Sequence, residues 1–294
     1  MHIARVAGLA EDVSWALVDA ETQSVRRIRT PFGRWAGRVA SEGEAVLEAD
    51  AEAVPFSKVR LRAPVQPGAR VFGVGLNYLE HLTRLGRTEA PPHTIAYIKP
   101  DSAIVDPGGE ITYPAVTATL DFEIELVAVV GRPLREEARA SECLLGYTIG
   151  NDVSARDAGK QLGSLDLFTQ KALDSTAPIG PWIATLDACG GPGQPELDIE
   201  MRINGEVRQH DNTRNMIFAM DEILNFVDAR VRLRAGDLIF TGSTCGVGLE
   251  DGRFLKPGDQ FAASIARIGT LTHHIGPQRV LAPERRIGRL GLPA

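Results

Sequence analysis

Glu123 and Glu125, two glutamates one residue apart, are the first candidates for chemistry in this chain. In a β-strand they share one face about 7 Å apart, and two carboxylates so placed can grip one hard cation. Taken alone, the pair also fits a solvated strand face. Val127 and Val129 continue that face with apolar groups, however, so it is not simply wet. Asp152 comes directly after a later apolar run, in Asn151-Asp152-Val153-Ser154-Ala155-Arg156-Asp157, and offers a third oxygen ligand. Two Glu and one Asp, with no Cys or His at matching spacing, suit Mg²⁺, Mn²⁺ or Ca²⁺ and not zinc. Arg156 and Asp157 read as a structural pair near that site.

Three further positions carry reactive or anion-binding groups. His81 follows the apolar run Val71-Phe72-Gly73-Val74-Gly75 and the turn residues Asn77-Tyr78, which sets it at an opening where an imidazole can move a proton; a lone His there equally fits a structural or exposed residue. Lys171 stands in a run of apolar and small residues; it suits an anionic substrate and equally a surface charge. Thr241-Gly242-Ser243-Thr244-Cys245-Gly246-Val247-Gly248 combines glycines with hydroxyls, and so offers backbone N–H groups and small donors to a carboxylate or phosphate. It lacks the Gly-Lys-Ser/Thr ending of a P-loop. Cys245 within it reads as a packing residue.

Strands must position most of these groups. Leu120 to Val130 alternates, with Phe122, Ile124, Leu126 and Ala128 on one face and Glu123, Glu125, Val127 and Val129 on the other. Val13–Val18, Val25–Ile28, Gly146–Ile149 and Asp198–Ile203 also read as strands, and Asn204-Gly205 as a tight hairpin turn. Two helices are predicted, over Arg135–Leu144 and, on its 3.6-residue period, over Met216–Val227. Leu233–Leu238 and Leu255–Gln260 share a Gly-Asp turn before a strand. Pro64, Pro67 and Gly68 punctuate the chain, which divides it into a small β-rich N-terminal domain (1–65), a catalytic domain (66–277) and an Arg-, Pro- and Gly-rich tail (278–294). The fold class is α+β and β-rich.

With 294 residues, 44% of them hydrophobic, the chain can bury a proper core. The 32 basic and 38 acidic residues give no footprint for nucleic acid, and no apolar run reaches membrane-spanning length. Three scattered cysteines and no basic-then-apolar leader fit a cytoplasmic protein.

The motifs also occur together in a fixed order: Gly75-Leu76-Asn77-Tyr78 with His81, Leu120–Leu126 (LDFEIEL), Gly146–Asp157 (GYTIGNDVSARD), Lys171–Trp182, Leu233–Gly242 (LRAGDLIFTG) and Gly246-Val247-Gly248. From about Pro67 to Ile275 this series resembles the fumarylacetoacetate hydrolase family. The resemblance implies a mixed, rolled β-structure, a homodimer, and an Mg²⁺ or Mn²⁺ site on Glu123, Glu125 and Asp152. It also implies that His81 is catalytic, that Lys171 binds substrate or stabilises charge, and that the Thr241 hydroxyl meets a substrate carboxylate. Three departures stand out. Arg84 occupies the place where acylpyruvate hydrolases of the family carry the Glu of His-x-x-Glu. Ser243-Thr244 replaces Thr-Pro, which makes Ser243 a substrate-binding candidate, and Gly159 replaces a Gln, although Gln161 is near. The expected activity is metal-dependent hydrolysis of a C–C bond in a small 2-oxo or 1,3-dicarbonyl acid. The alternatives are decarboxylation, tautomerisation or dehydration on the same site, or a non-catalytic ligand-binding relative. Arg84 would either weaken His81 as a base or bind an extra substrate carboxylate; if it does neither, the partner of His81 must come from elsewhere in the chain.

Overall fold

Short runs of β-branched and aromatic residues between Gly, Pro and Asn turns fold as strands. The computed structural model describes residues 1–10, 12–157 and 166–280. Among these, three sheets form. The largest runs in the order β4 (Val54–Pro55), β3 (Ser24–Arg27), β2 (Ser14–Asp19), β1 (His2–Ala7), β14 (Ala177–Thr185), β12 (Leu144–Asn151), β11 (Ile124–Val130), β17 (Leu238–Phe240), β6 (Val71–Gly75) and β7 (Ile95–Lys99). β5 (Arg60–Arg62) joins it on β1, and β8 (Ile104–Val105) on β14. The second sheet has the order β16 (Glu206–Asn212), β15 (Asp198–Ile203), β18 (Gln260–Ile265), β19 (Gly269–Gln278) and β9 (Glu110–Tyr113). β10 (Leu120–Asp121) pairs with β13 (Ser154–Ala155). Most pairs are antiparallel, but β17–β6, β14–β8 and β19–β9 are parallel, so the fold is β-rich and mixed, as expected.

The helices are short: α1 (Phe32–Trp35), α2 (Val39–Glu42), α3 (Leu79–Arg84), α4 (Leu167–Lys171), α5 (Met220–Asp228) and α6 (Gly248–Asp251). Among the described residues no helix is long and apolar enough to cross a membrane.

The alternation in β11 divides two cores, not core from water. Ile124, Leu126, Ala128 and Val130 pack with Phe261, Leu271 and α5 residues such as Ile223. Val127 and Val129 pack instead with Phe240, Leu145, Trp35 and Ile3. That second core draws on residues from both sides of position 65, and β1 pairs with β14, so residues 1–65 extend the large sheet. The predicted tail begins within β19, which runs to Gln278; residues 281–294 lie outside the described residues.

Two predicted helices differ. Over Arg135–Leu144 only one 3₁₀ turn forms, Ala140–Cys143. Tertiary hydrogen bonds set its backbone: Ser141 N donates to Asp221 Oδ1 (2.7 Å), and Ser141 Oγ accepts from Gly193 N (2.8 Å). The predicted Met216–Val227 helix starts late, at Met220. Asn77 explains the delay, because its carbonyl accepts from Ile217 N (2.8 Å) and its Oδ1 from Phe218 N (2.7 Å). Asn204-Gly205 does turn the β15–β16 hairpin, with both residues at positive φ.

Candidate active site and metal centre

The three predicted acidic ligands converge. β11 carries Glu125, the break between β10 and β11 carries Glu123, and the end of β12 leads directly into Asp152. Antiparallel pairing sets Ile124 opposite Asn151, and Asp152 N donates to Glu123 O at 2.8 Å. Each acid offers an oxygen within 4.8 Å of the others, and all three are buried.

Buried carboxylates need compensation. Lys171, at the C-terminal end of α4, donates to Asp152 Oδ2 (2.7 Å) and to Glu123. Lys99, wholly buried at the end of β7, donates to Asp152 Oδ1 (2.6 Å) and to the Lys171 carbonyl (2.7 Å). The Tyr97 hydroxyl also donates to Asp152. Burial would raise the Asp152 carboxyl, but the Lys171 and Lys99 ammoniums outweigh it and hold that carboxyl well below the usual range. Glu123 is lowered likewise: burial opposes, and Lys171 and Arg156 prevail. Glu125 goes the other way, pushed well up by burial and by the Asp152 and Glu123 charges. Gly242 N donates to its Oε2 (2.7 Å), while its Oε1 is buried with no donor.

A buried acceptor without a donor is rare and calls for a partner. Three converging carboxylates, one of them with this orphaned oxygen, fit a hard divalent cation of the Mg²⁺ or Mn²⁺ kind, which Glu123, Glu125 and Asp152 would hold.

His81 faces the same space. A cavity of about 240 Å³ is lined by His81, Glu123, Arg156, Lys171 and Ser243, with Leu76, Leu85, Leu167 and Leu249 as its apolar wall. The His81 ring is buried, and its Nδ1 lies 2.7 Å from Glu250 Oε1. A carboxylate only accepts, so Nδ1 carries the hydrogen, and in the neutral ring the lone pair is on Nε2. Glu250 is itself fixed. Its Oε2 accepts from Gly246 N (2.8 Å) and lies 3.6 Å from Arg84 Nη1. The partner of His81 therefore comes from α6, across 169 positions of sequence. Arg84 is half-exposed and binds Glu80 on its own helix (2.5 Å) while touching Glu250 from outside.

Asp121 ties the two halves together. It accepts from Gly248 N (2.6 Å) and Leu249 N (3.0 Å) at the start of α6, and from Arg156 Nε (2.7 Å). Arg156 in turn donates to Glu123. A Cβ on Gly248 would fall 2.7 Å from Asp121 Oδ1, so only glycine allows this approach. Arg156 and Asp157 do not pair with each other: Asp157 turns away to the Thr117 hydroxyl and Ala118 N.

Ser243 lines the cavity, whereas the Thr241 hydroxyl is buried and donates to Leu126 O (2.8 Å). Gly159 and Gln161 lie outside the described residues. Sequence reasoning missed Glu250, Lys99 and Tyr97. The signals available were an acid just after a glycine-rich loop, a Lys-Pro step at a strand end, and an aromatic two residues before it.

Three converging buried carboxylates beside a histidine–carboxylate pair, on a mixed β-rich fold, make this cavity the candidate active site. Residues 70–276 match the family model described as fumarylacetoacetate (FAA) hydrolase C-terminal. The chain belongs to the fumarylacetoacetate hydrolase family. It is 34% identical over 228 residues to oxaloacetate tautomerase YisK of Bacillus subtilis (strain 168), across 75% of this chain and 74% of that one. A 5-carboxymethyl-2-hydroxymuconate delta-isomerase from Mycobacterium smegmatis has a similar structure (TM-score 0.76, 30% identity, 94% of this chain and 99% of that one). So does the fumarylpyruvate hydrolase from Pseudomonas aeruginosa, solved in complex with Mn²⁺ and pyruvate (TM-score 0.63, 29% identity, 78% and 93%). Its relatives are thus enzymes: tautomerases, isomerases and hydrolases.

Proposed function

We infer that this protein is a divalent-metal-dependent enzyme that moves a proton on a small 2-oxo acid, with keto–enol tautomerisation of an oxaloacetate-like diacid as its reaction. The observation that carries this reading is the His81–Glu250 pair opening onto the same cavity as Glu123 and Lys171. At about 240 Å³ the cavity lies below the roughly 300–1,000 Å³ of pockets for drug-sized ligands, which favours a compact acid. A bound Mg²⁺ or Mn²⁺ would act as a Lewis acid toward the substrate's oxo and carboxylate oxygens.

The chain's own groups do the rest. His81 Nε2 takes the proton from the carbon next to the keto group and returns it to the oxygen; one C–H bond breaks, one O–H bond forms, and the imidazole ends as it began. Glu250 holds the imidazole in the right tautomer and stabilises its charged form. The Lys171 ammonium faces the negative charge that develops on the oxygen. Ser243 offers a hydroxyl to the substrate, and the leucines give it an apolar side to pack against. Arg84 Nη1 lies 3.6 Å from Glu250 Oε2, at the outer edge of the pair.

C–C hydrolysis of an acylpyruvate is the second reading, favoured because Glu250 supplies the acid partner missing at position 84. Assaying the purified protein with Mg²⁺ on enol-oxaloacetate and on a panel of acylpyruvates separates the two. Loss of the enol absorbance without pyruvate release supports tautomerisation. Pyruvate release from acylpyruvates supports hydrolysis, and turnover of none favours a ligand-binding role.

A further inference from the structure

Gln209 takes no part in the proton transfer, yet it is wholly buried and all its carboxamide groups are engaged at the back of the site. β17 pairs with β11 only from Val127 to Val129. Thr241 N still reaches Leu126 O (3.2 Å), and beyond Thr241 the loop to Val247 makes no ladder pair with Ile124. The Gln209 side chain bridges the two. Ile124 N donates to Gln209 Oε1 at 3.0 Å, and Gln209 Nε2 donates to Ser243 Oγ (2.9 Å) and Thr244 O (2.9 Å). The partners fix the amide's orientation, because an N–H requires the oxygen and a carbonyl requires the nitrogen.

Two local features of β16 aim it there. The β15–β16 register slips by one residue at Arg208, between the pairs Met201–Gln209 and Arg202–Val207, and such a bulge re-aims the next side chain. Gly246 lets the loop press on the strand: its φ is +99°, and a Cβ there would lie 2.0 Å from Arg208 O.

We propose that Gln209 is a positioning residue that continues the sheet where β17 leaves it, locking the Glu123–Glu125 backbone to the Ser243 loop at one spacing. Ile124 is the residue between the two glutamates, and Gly242 N, on the same loop, donates to Glu125. Losing the carboxamide therefore removes one tie between the strand that carries both glutamates and the substrate-side loop, loosening their spacing while β12 still holds the strand from its other side. The consequence for metal binding rests on the metal centre proposed above; the consequence for the loop does not.

The test uses the full chain and the near-isosteric Gln209→Met. Amide exchange and Mn²⁺ titration by electron paramagnetic resonance are measured on the chelator-treated protein. The expected results are exchange about tenfold faster at residues 243–247 and a Mn²⁺ Kd raised about 10–100-fold, the range for lost partners of metal ligands. A folded Gln209→Met with both values at the wild-type level overturns the proposal. Wild-type protein that binds no Mn²⁺ defeats the metal centre, and loop exchange then decides the Gln209 inference alone. Should Gln209→Met not fold, the wild type still decides: its Ile124 amide must exchange as slowly as those inside β11. Exchange at the rate of an unpaired amide contradicts the proposal.

Discussion

Glu250 reaches His81 from another element, and the pair works only while the carboxylate remains an acceptor. In Glu250→Gln the amide nitrogen can donate to Nδ1, which moves the ring hydrogen to Nε2 and removes the lone pair needed for catalysis. The expected loss in kcat is about 10²-fold or more, with Mn²⁺ affinity unchanged; kinetics and a metal titration on the same preparation check it. Lys171→Met removes the cation facing the developing charge and is expected to lower kcat by about 10²–10³-fold. Unchanged turnover would make Lys171 only a counter-ion for Asp152 and Glu123. The convergence of the three acids was legible in part because i and i+2 in a strand share a face, and an acid at the end of a neighbouring strand can join them. Glu250 was not legible: no local period links position 81 to position 250, and the expected i+3 place holds Arg84.

At the scale of elements, α6 is only four residues long and depends on what holds its first turn. Asp121 satisfies two of its N–H groups and also neutralises Arg156 in a buried setting. Asp121→Ala leaves that guanidinium half-paired and frees the helix carrying Glu250. Breaking a buried pair of this kind costs about 3–5 kcal/mol, so urea denaturation should show a large drop in midpoint. A midpoint within error of wild type would mean that water replaces the carboxylate at no cost. Strands with alternating patterns and Gly-Asp turns were readable because their causes are local. In the turns, Asp237 Oδ2 accepts from Arg234 N (2.9 Å) and Asp259 Oδ2 from Lys256 N (2.8 Å), the same three-residue loop twice. The start of α5 was not readable, since Asn77, some 140 positions away, claims the backbone that would have formed its first turn.

Across the whole molecule, two apolar cores meet on β11, and among the described residues the buried ionic and imidazole side chains gather mainly around the site. His273 is one such group. Its Nε2 accepts from Asn151 Nδ2 (2.9 Å), whose Oδ1 accepts from Glu123 N (2.9 Å), and its ring stacks on Phe261. Burial, with a smaller contribution from His274, lowers its pKa to about 3 from the ordinary 6.5. The folded protein thus keeps this ring neutral while the unfolded chain protonates it. Stability from this group is complete above pH 6.5 and is lost as pH falls from there toward 3, at about 1.4 kcal/mol per pH unit. His273→Gln keeps an acceptor for Asn151, so its denaturation midpoint should fall less steeply than that of wild type between pH 6.5 and 4.5; parallel curves would refute the assignment. The continuity of residues 1–65 with the large sheet could not be read from composition, because pairing of β1 with β14 joins segments more than 170 residues apart.

The central claim is that Glu123, Glu125 and Asp152 hold a divalent cation on which proton transfer by His81 depends. The most direct measurement follows enol-oxaloacetate decay with wild-type protein before chelation, after exhaustive chelation, and after Mn²⁺ or Mg²⁺ is restored. The account predicts that decay falls to the uncatalysed rate on chelation and returns with either ion. Undiminished enzymatic decay in the chelated protein, with metal removal verified by elemental analysis, would contradict it.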